Sequence, residues 1–449
     1  MRSGWRVLVV WSCFAVLEAA STPVFAIPSF ERQTGLQCAA CHTVFPDLTA
    51  FGRQFKLRGY TMGSQLANKP FPYEIPLALG MQVGNTSVKD RNNGADASAD
   101  FPSAGKTIVQ QAAFYYGGRV FGDLGAMAQY NWDGVERKWG AEMVDIRYAR
   151  ATTVKDRSLV YGISLANSPT VQDVWNTSPM WSFPHLQDAG IMPMVTSLFD
   201  MTLDNQVGAV EVYADFDGQY YGEIGFLRNG HTGIFRPLNS GKDLQTAIDG
   251  TAPHIRIAWE RDRGARSFEI GVHALRAEIF PDPQNLNGPT DRYTDVALDG
   301  QYQYAAGAHL FSIHGFFDHE KRDWNASFPM GMASNTADKL STLKASVHYW
   351  YQRRLGGGVG FADYGGDSDQ LKYGMTGMPS AMGSVSGSPD TRSWTIEGDW
   401  LPLQNRQNLK LGVRYTAYTK FNGARNNYNG FGRNASDNDA LFVYAWLLY

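Results

Sequence analysis

The stretch His254-Ile255-Arg256-Ile257-Ala258-Trp259-Glu260 alternates between polar and apolar side chains. Successive side chains of an extended strand point to opposite faces, so one face would be apolar and the other charged. The same alternation recurs at Val144-Asp145-Ile146-Arg147-Tyr148 and at Leu409-Lys410-Leu411-Gly412-Val413-Arg414-Tyr415. Charges along the inner face of such strands predict a wet lumen rather than a packed core.

The breaks between these strands alternate in length. Short breaks lie near Gly122-Asp123, Lys155-Asp156, Asp217-Gly218, Arg263-Gly264, Ala306-Gly307, Leu355-Gly356 and Gln404-Asn405. Long breaks cover about 85–105, 133–141, 167–206, 229–251, 279–291, 320–337, 365–390 and 420–438. Together they separate sixteen strands, an even number as in bacterial outer-membrane barrels. We therefore predict an all-β fold, a sixteen-stranded antiparallel barrel in the outer membrane of a Gram-negative bacterium. Both termini would be periplasmic and the long loops extracellular.

Residues 1–26 have the pattern of a secretory signal peptide. Arg2 and Arg6 precede an apolar run from Val7 to Ala20, and Val24-Phe25-Ala26 offers a cleavage site. The alternative, a transmembrane anchor, requires about 20 apolar residues, more than this run contains. We expect a small segment at 27–72 and the barrel at 73–449. The last strand, Leu441 to Tyr449, ends on an aromatic residue, as assembly signals of outer-membrane barrels do.

The motif Cys38-Ala39-Ala40-Cys41-His42 follows the leader. Two thiols at this spacing can form thioethers with a haem, and the adjacent imidazole can ligate its iron. Cys13, the third cysteine, would be lost with the leader, and an isolated Cys38–Cys41 disulfide is the alternative. One covalent haem c is the predicted cofactor. The formal net charge of −3 gives no indication of nucleic-acid binding.

Phe45-Pro46-Asp47 after the motif predicts the start of a short helix that Gly59 would close. Leu48, Phe51 and Phe55 would share one face, packing either as ordinary core or against a haem. A segment this small rarely folds alone, so a covalent haem would act as its staple, with help from the barrel wall.

Residues 28–63 resemble the haem segment of the outer-membrane monohaem cytochrome c–porin fusions of iron-oxidising bacteria. Arg32-Gln33-Thr34-Gly35 before the motif, and Phe51-Gly52-Arg53 and Gly59-Tyr60 after it, carry the resemblance. The resemblance implies a monohaem c-type cytochrome fused to a sixteen-stranded porin that takes electrons from Fe(II) at the cell surface.

His42 is the expected proximal ligand, and Met62 is the leading candidate for the sixth position because a thioether raises the reduction potential. Met81 and the barrel histidines, such as His273, are alternatives. Arg53, Lys56 and Arg58 would either contact the haem propionates or form a solvated or wall-docking helix face.

Acidic residues of the first long loop, Asp90, Asp96 and Asp100, offer oxygen ligands for Fe(II). The loop 167–206 is rich in large side chains, and by analogy with porins it would fold into the lumen. These side chains include Trp175, Trp181, Met192 and Met194.

The predicted function is an Fe(II):cytochrome c or cupredoxin oxidoreductase that passes electrons to a periplasmic cytochrome c or copper protein. One haem cannot bridge an apolar band of about 25 Å, so either the haem segment lies within the lumen or a partner reaches up to it. The short haem segment favours the first, a plug in the lumen. Two alternatives remain, an electron conduit for another donor or acceptor and a solute porin with a structural haem.

Overall fold

The computed structural model describes residues 28–63, 76–90, 104–169, 173–177, 188–375, 377, 380–403 and 408–449. The predicted leader and the boundary at residues 72 and 73 lie outside these ranges. The α-helices are α1 (Pro28–Thr34), α2 (Cys38–Cys41), α3 (Ala50–Leu57) and α4 (Gln370–Tyr373). A π-helical turn lies at Leu198–Thr202, and 3₁₀ helices lie at Gly233–Asn239 and Ala435–Asn438.

The strands are β1 (Leu77–Val88), β2 (Ala104–Phe121), β3 (Leu124–Asp133), β4 (Lys138–Val154), β5 (Arg157–Ala166), β6 (Val207–Phe216), β7 (Tyr220–Asn229), β8 (Ile248–Asp249), β9 (Ala252–Arg263), β10 (Arg266–Ile279), β11 (Asp291–Ala306), β12 (His309–Asp323), β13 (Ala337–Tyr351), β14 (Leu355–Gly366), β15 (Thr391–Trp400), β16 (Leu409–Lys420) and β17 (Ala440–Leu448). Of these, β8 is a two-residue strand that pairs with the end of β10.

Sixteen long strands form one closed antiparallel sheet. Each pairs with the next along the chain, and β1 also pairs with β17 from Gly80 opposite Leu448 to Val88 opposite Ala440. That pairing leaves no free edge, so the predicted sixteen-stranded barrel is confirmed, and it has a porin-like architecture.

The two faces of the sheet differ as the alternation predicts. On β9, Ile255 and Ile257 are exposed on the outer face, whereas His254, Arg256 and Glu260 are buried on the inner face. Outward apolar residues recur around the barrel and give it an exterior suited to lipid. Among the described residues, no helix has the length and apolarity needed to cross a membrane.

The predicted breaks match most of the observed connections. Two predictions are wrong: the break at 133–141 is a turn of only four residues between β3 and β4, and Leu355-Gly356 lies inside β14, after the turn at 352–354. The glycines at the start of β14 resemble turn residues, but glycine also occurs within strands. The predicted turn at Gln404-Asn405 lies outside the described residues.

The loop between β5 and β6 folds into the lumen, as predicted. Tyr418 on β16 donates a hydrogen bond from its hydroxyl to the Ile191 carbonyl (2.6 Å). Further along the loop, the Leu198 amide donates to Glu320 Oε2 on β12 (2.8 Å), and the Asp200 carboxylate pairs with Lys344 on β13. The loop therefore contacts the wall at well-separated strands. Trp181 lies outside the described residues.

The expectation of a wet inner face is wrong where this loop lies. Asp295, Asp318 and Glu320 face inward, and all three are fully buried. Loop backbone and hydroxyl groups cover them: Phe199 donates to Asp295 from its amide (3.2 Å), and the Ser197 hydroxyl donates to Asp318. Alternation in one strand predicts which face is polar, but it cannot show what covers that face.

Replacing residues 190–203 with a short Gly-Ser linker should raise the ion conductance of the reconstituted barrel, because the linker lacks the side chains that fill the lumen. Planar-bilayer recording measures this change. Shortening the exposed loop at 282–289 is the matched control and should leave conductance unchanged. Equal conductance in both variants would contradict an obstructing role for the inward loop.

Candidate functional site

The Cys-Ala-Ala-Cys-His motif forms a single compact turn. Cys38 to Cys41 is one turn of helix, which places the two sulfur-bearing residues on the same side. His42 caps this turn, and its amide donates to the Cys38 carbonyl (2.8 Å). The sulfur atoms of Cys38 and Cys41 are not joined in the alternative disulfide. The local geometry thus presents two thiols and an imidazole from one turn.

Helix α3 packs closely against this turn. The Thr49 hydroxyl accepts from the Gly52 amide (3.1 Å) and donates to the Ala40 carbonyl (2.6 Å). A Cβ at Gly52 would lie 2.2 Å from the Cys41 carbonyl oxygen, so only glycine permits this approach.

The predicted start of this helix at Phe45-Pro46-Asp47 is wrong. The helix begins at Ala50, because Thr49 supplies the N-cap acceptor that the first turn needs. The predicted end at Gly59 is close to the observed end at Leu57. Gly59 has a φ of +65°, which is typical of a residue that terminates a helix.

A buried ion-pair network docks the segment 28–63 to the barrel wall. Arg53 is fully buried, and its Nε lies 2.9 Å from Glu260 Oε2. Its Nη2 lies 2.8 Å and 2.9 Å from the two carboxylate oxygens of Asp262. Lys56 Nζ donates to the Asp173 carbonyl (2.9 Å). Of the two predicted roles, the structure shows docking to the acidic wall for Arg53, whereas Lys56 contacts the loop between β5 and β6.

Other contacts reach several strands. Gln54 donates to Asp215 on β6 (2.8 Å), Tyr60 donates to Asp145 on β4 (2.5 Å), and Arg353 in the β13–β14 turn donates to the Thr43 carbonyl (3.2 Å). Asp215, Asp262 and Arg353 all lie at or beside short turns. The segment therefore plugs the end of the barrel that carries the short turns, in agreement with the predicted lumen plug.

The imidazole of His42 lies in an apolar setting. Its ring centroid is 5.2 Å from that of Phe45, which in turn is 4.8 Å from Trp446 on β17. Burial lowers the pKa of His42 to about 4, although backbone groups of Pro46 and Asp47 oppose the shift. The ring is therefore neutral near pH 7, which is the form that binds metal. Its Nδ1 is buried and makes no hydrogen bond within the described part of the chain.

Beside this turn, inward side chains of the barrel form one of the buried apolar clusters of the interior, called the apolar wall below. The apolar wall consists of Ala78, Ala113, Tyr115, Phe442, Tyr444, Trp446 and Leu448. Phe30 and Phe45 of the segment pack against it. Sequence reasoning missed this surface, although β17 is apolar on both faces and so departs from the alternation of the other strands.

The remaining predicted ligands lie in different places. Met62 is half-buried, and its carbonyl accepts from Gln33 Nε2 (2.9 Å). Met81 is 42% exposed on the outer face of β1, so it cannot serve an interior site. His273 faces inward as expected, but its ring packs 4.3 Å from Phe199 of the inward loop.

The predicted iron-binding carboxylates cannot be assessed as a group, because Asp96 and Asp100 lie outside the described residues. The Asp90 amide donates to the Asp437 carbonyl (2.9 Å). Within the ranges that the structure covers, no group of three or more His, Cys, Asp or Glu is arranged to hold a metal ion.

Comparison with known proteins gives structural matches only. No family model matches the chain, and no curated protein does. Among solved structures, Salmonella typhi OmpF in complex with daunomycin matches with 14% identity and a TM-score of 0.46, covering 83% of this chain and 97% of that one. The outer membrane channel DcaP of Acinetobacter baumannii matches with 10% identity and a TM-score of 0.42, covering 83% and 96%. The anion-selective porin from Comamonas acidovorans matches with 11% identity and a TM-score of 0.41, covering 83% and 99%.

Replacing Arg53 with methionine should release the segment from the wall, because Glu260 would remain as a buried carboxylate without its cation. Removing one partner of such a pair typically costs about 3–5 kcal/mol. Limited proteolysis of the segment in the folded, detergent-solubilised barrel measures the release.

Arg150→Met is the matched control, since Arg150 pairs with Asp123 at the protein surface (3.1 Å), where an ion pair contributes little. Its proteolysis rate should equal that of the unmodified protein. Equal protection of the two variants would show that the Arg53 network does not hold the segment in place.

Proposed function

We propose that this chain is an outer-membrane c-type cytochrome–porin that oxidises extracellular Fe(II) and passes electrons to a periplasmic cytochrome c or copper protein. Cys38 and Cys41 would bind one haem through thioethers, and His42 would ligate its iron. Met62 is the sequence-based candidate for the sixth ligand. The observation that carries the proposal is the Cys-Ala-Ala-Cys-His turn itself, held in the mouth of a closed barrel.

The residues around the turn fit a haem. Two thiols one helical turn apart match the attachment chemistry, and the neutral His42 ring has a buried nitrogen that makes no hydrogen bond within the described residues. The apolar wall supplies a surface that favours a porphyrin over water. Bound at this position, a haem would supply one-electron redox chemistry.

The contents of the barrel and its charged wall also determine which molecules reach the turn. Arg53 is already engaged by the wall and Lys56 by the inward loop, so they hold the segment in position rather than binding the cofactor. The segment and the inward loop together fill the lumen from its two ends, which excludes bulky oxidants while the acidic interior favours small cations. Fe(II), a small cation that prefers oxygen and nitrogen ligands, suits this interior.

The placement in a membrane follows from the exterior of the barrel. Apolar side chains such as Ile255 and Ile257 face outward from a sheet that has no free edge, which is how a β-protein spans a bilayer. With the short turns on the periplasmic side, the segment would open toward a periplasmic electron acceptor.

The porin-like barrel also favours a second function, conduction of solutes with the haem as a structural staple. Solute flux in liposomes separates the two functions. Flux that continues while the haem fails to respond to Fe(II) would favour the solute porin.

Replacing Cys38 and Cys41 together with alanine should abolish covalent haem, because no thiol would remain to add to the vinyl groups. Haem-dependent peroxidase staining after denaturing electrophoresis detects the attachment. Cys13→Ala is the control and should stain like the unmodified protein. Haem that stays attached to the double variant would refute the assignment of these thiols.

Anaerobic mixing of the oxidised, haem-loaded protein with Fe(II) should produce the reduced c-type α band in the absorption spectrum. Zn(II) at the same concentration is the control and should produce no band. Reduction by dithionite but not by Fe(II) would favour another donor or the opposite direction of electron flow.

A further inference from the structure

The end of the barrel that carries the short turns presents a set of six arginines, called the basic rim below. Five of them are exposed, and Arg354 is half-buried. None forms an ion pair with a carboxylate among the residues that the structure describes. The basic rim consists of Arg32 in the last turn of α1, Arg261, Arg263 and Arg266 beside the β9–β10 turn, and Arg353 and Arg354 in the β13–β14 turn.

The acidic side chains in these turns are balanced by cations outside the basic rim. Asp262, which lies between two arginines of the basic rim in the sequence, is held by Arg53 (2.8 Å). The turn carboxylates and their neighbouring cations are Asp123 with Arg150 (3.1 Å), Asp217 with Arg157 (3.8 Å), and Asp156 next to Lys155 in the sequence. The arginines of the basic rim therefore remain as excess positive charge.

Part of the basic rim is arranged at a cost to the barrel itself. Arg263 and Arg266 lie directly opposite each other across the β9–β10 hairpin, and Arg261 lies two residues further along the same face. Like charges directly opposite each other destabilise a pair of strands. An anion that binds between these side chains would relieve their repulsion, so the arrangement favours an anionic partner.

The basic rim also lies close to the Cys-Ala-Ala-Cys-His turn. Arg353 donates from Nε to the carbonyl of Thr43 (3.2 Å), the residue that follows His42. Arg32 donates to the carbonyl of the first residue of β1, which holds the end of α1 at the same end of the barrel. Leu36, two residues before the first cysteine, is 40% exposed. The chain that leads into the turn is therefore accessible at the end of the barrel that carries the arginines.

Resting on the function proposed above, we propose that the basic rim docks the periplasmic electron acceptor and that this acceptor presents an acidic face. Complementary charge steers the two proteins together, and the small apolar surface at Leu36 suits a brief contact. One electron then leaves the ferrous haem, which becomes ferric. The same electron reduces the ferric iron or the Cu(II) of the acceptor by one unit of charge, and no proton is transferred.

Membrane lipid is the other source of anions near this end of the barrel. Arg353 is directed toward the segment by its hydrogen bond to Thr43, and Arg32 belongs to the segment itself. Side chains in these positions suit a partner that covers the mouth of the barrel better than they suit phosphate headgroups around its circumference.

Electron transfer from the full-length, haem-loaded protein to copper proteins of opposite charge tests the proposal. The protein is reconstituted in phosphatidylcholine nanodiscs, reduced with dithionite and freed of the reductant, so the test does not depend on Fe(II) as the donor. The probes are plastocyanin, which has an acidic face, and pseudoazurin, whose face around the copper is basic. Stopped-flow absorbance of the haem and of the copper gives the second-order rate constant at increasing ionic strength.

We expect the unmodified protein to react faster with plastocyanin than with pseudoazurin at low ionic strength, and salt should slow only the first reaction because it screens the attraction. Two variants reverse charge on separate turns: Arg263→Glu with Arg266→Glu, and Arg353→Glu with Arg354→Glu. Each should reduce plastocyanin about tenfold more slowly, since electrostatic steering changes association rates by at least that factor. Arg236→Glu with Arg276→Glu, at exposed sites of the long-loop end, is the matched control and should react at the unmodified rate.

Equal plastocyanin rates in the rim and control variants, or a faster reaction of the unmodified protein with pseudoazurin, would overturn the docking assignment. Phosphatidylglycerol that co-purifies with the unmodified protein but not with the rim variants, at unchanged plastocyanin rates, would assign the arginines to lipid instead. If a variant fails to assemble, the salt dependence of the unmodified protein decides between the same alternatives. Absence of covalent haem from the unmodified protein, detected by the pyridine haemochrome, would refute the proposed function rather than the docking surface alone.

Discussion

A sheet that crosses a bilayer cannot leave an edge unpaired, because lipid offers no hydrogen bonds to backbone groups. The pairing of β1 with β17 meets this requirement and converts a series of hairpins into a closed wall. Closure also creates an interior that is separated from lipid. Charged side chains that point inward must then find partners on neighbouring wall strands, as Arg256 does with Asp299, or among the contents of the barrel. The arrangement of those contents follows from this constraint.

The segment and the inward loop provide partners for the buried carboxylates of the interior in different ways. The segment brings cations to carboxylates, as Arg53 does for Glu260 and Asp262. The loop brings amide and hydroxyl donors, as at Asp318 and Glu320. Burying charge carries a desolvation cost of several kcal/mol per ion, so both depend on well-placed partners rather than on charge alone. Because the segment and the loop are held in this way, the Cys-Ala-Ala-Cys-His turn has a defined position relative to the wall.

The sequence predicted those features that depend on local pattern. Period-two alternation indicated the inward direction of Arg256 and Glu260, and turn residues such as Asp217-Gly218 marked hairpins. It could not indicate that Arg53 meets Glu260, because 207 residues separate them and either could have faced water. The apolar wall was missed for a related reason: it is assembled from β1, β2 and β17, and no single window contains it. The helix start was wrong because the Thr49 cap competed with a proline signal at Pro46.

The docking contacts of the segment bear on the order in which the molecule folds. Three of its partners, Asp145, Asp215 and Glu260, belong to β4, β6 and β9 in the first part of the barrel, whereas Arg353 and Trp446 lie late in the chain. The seam between β1 and β17 joins residues far apart in the chain, and contacts of that kind form slowly. The segment can therefore settle on a partly built sheet, before the last strand arrives. In that sequence of events the early hairpins fold around the segment as a template, and the seam then encloses it.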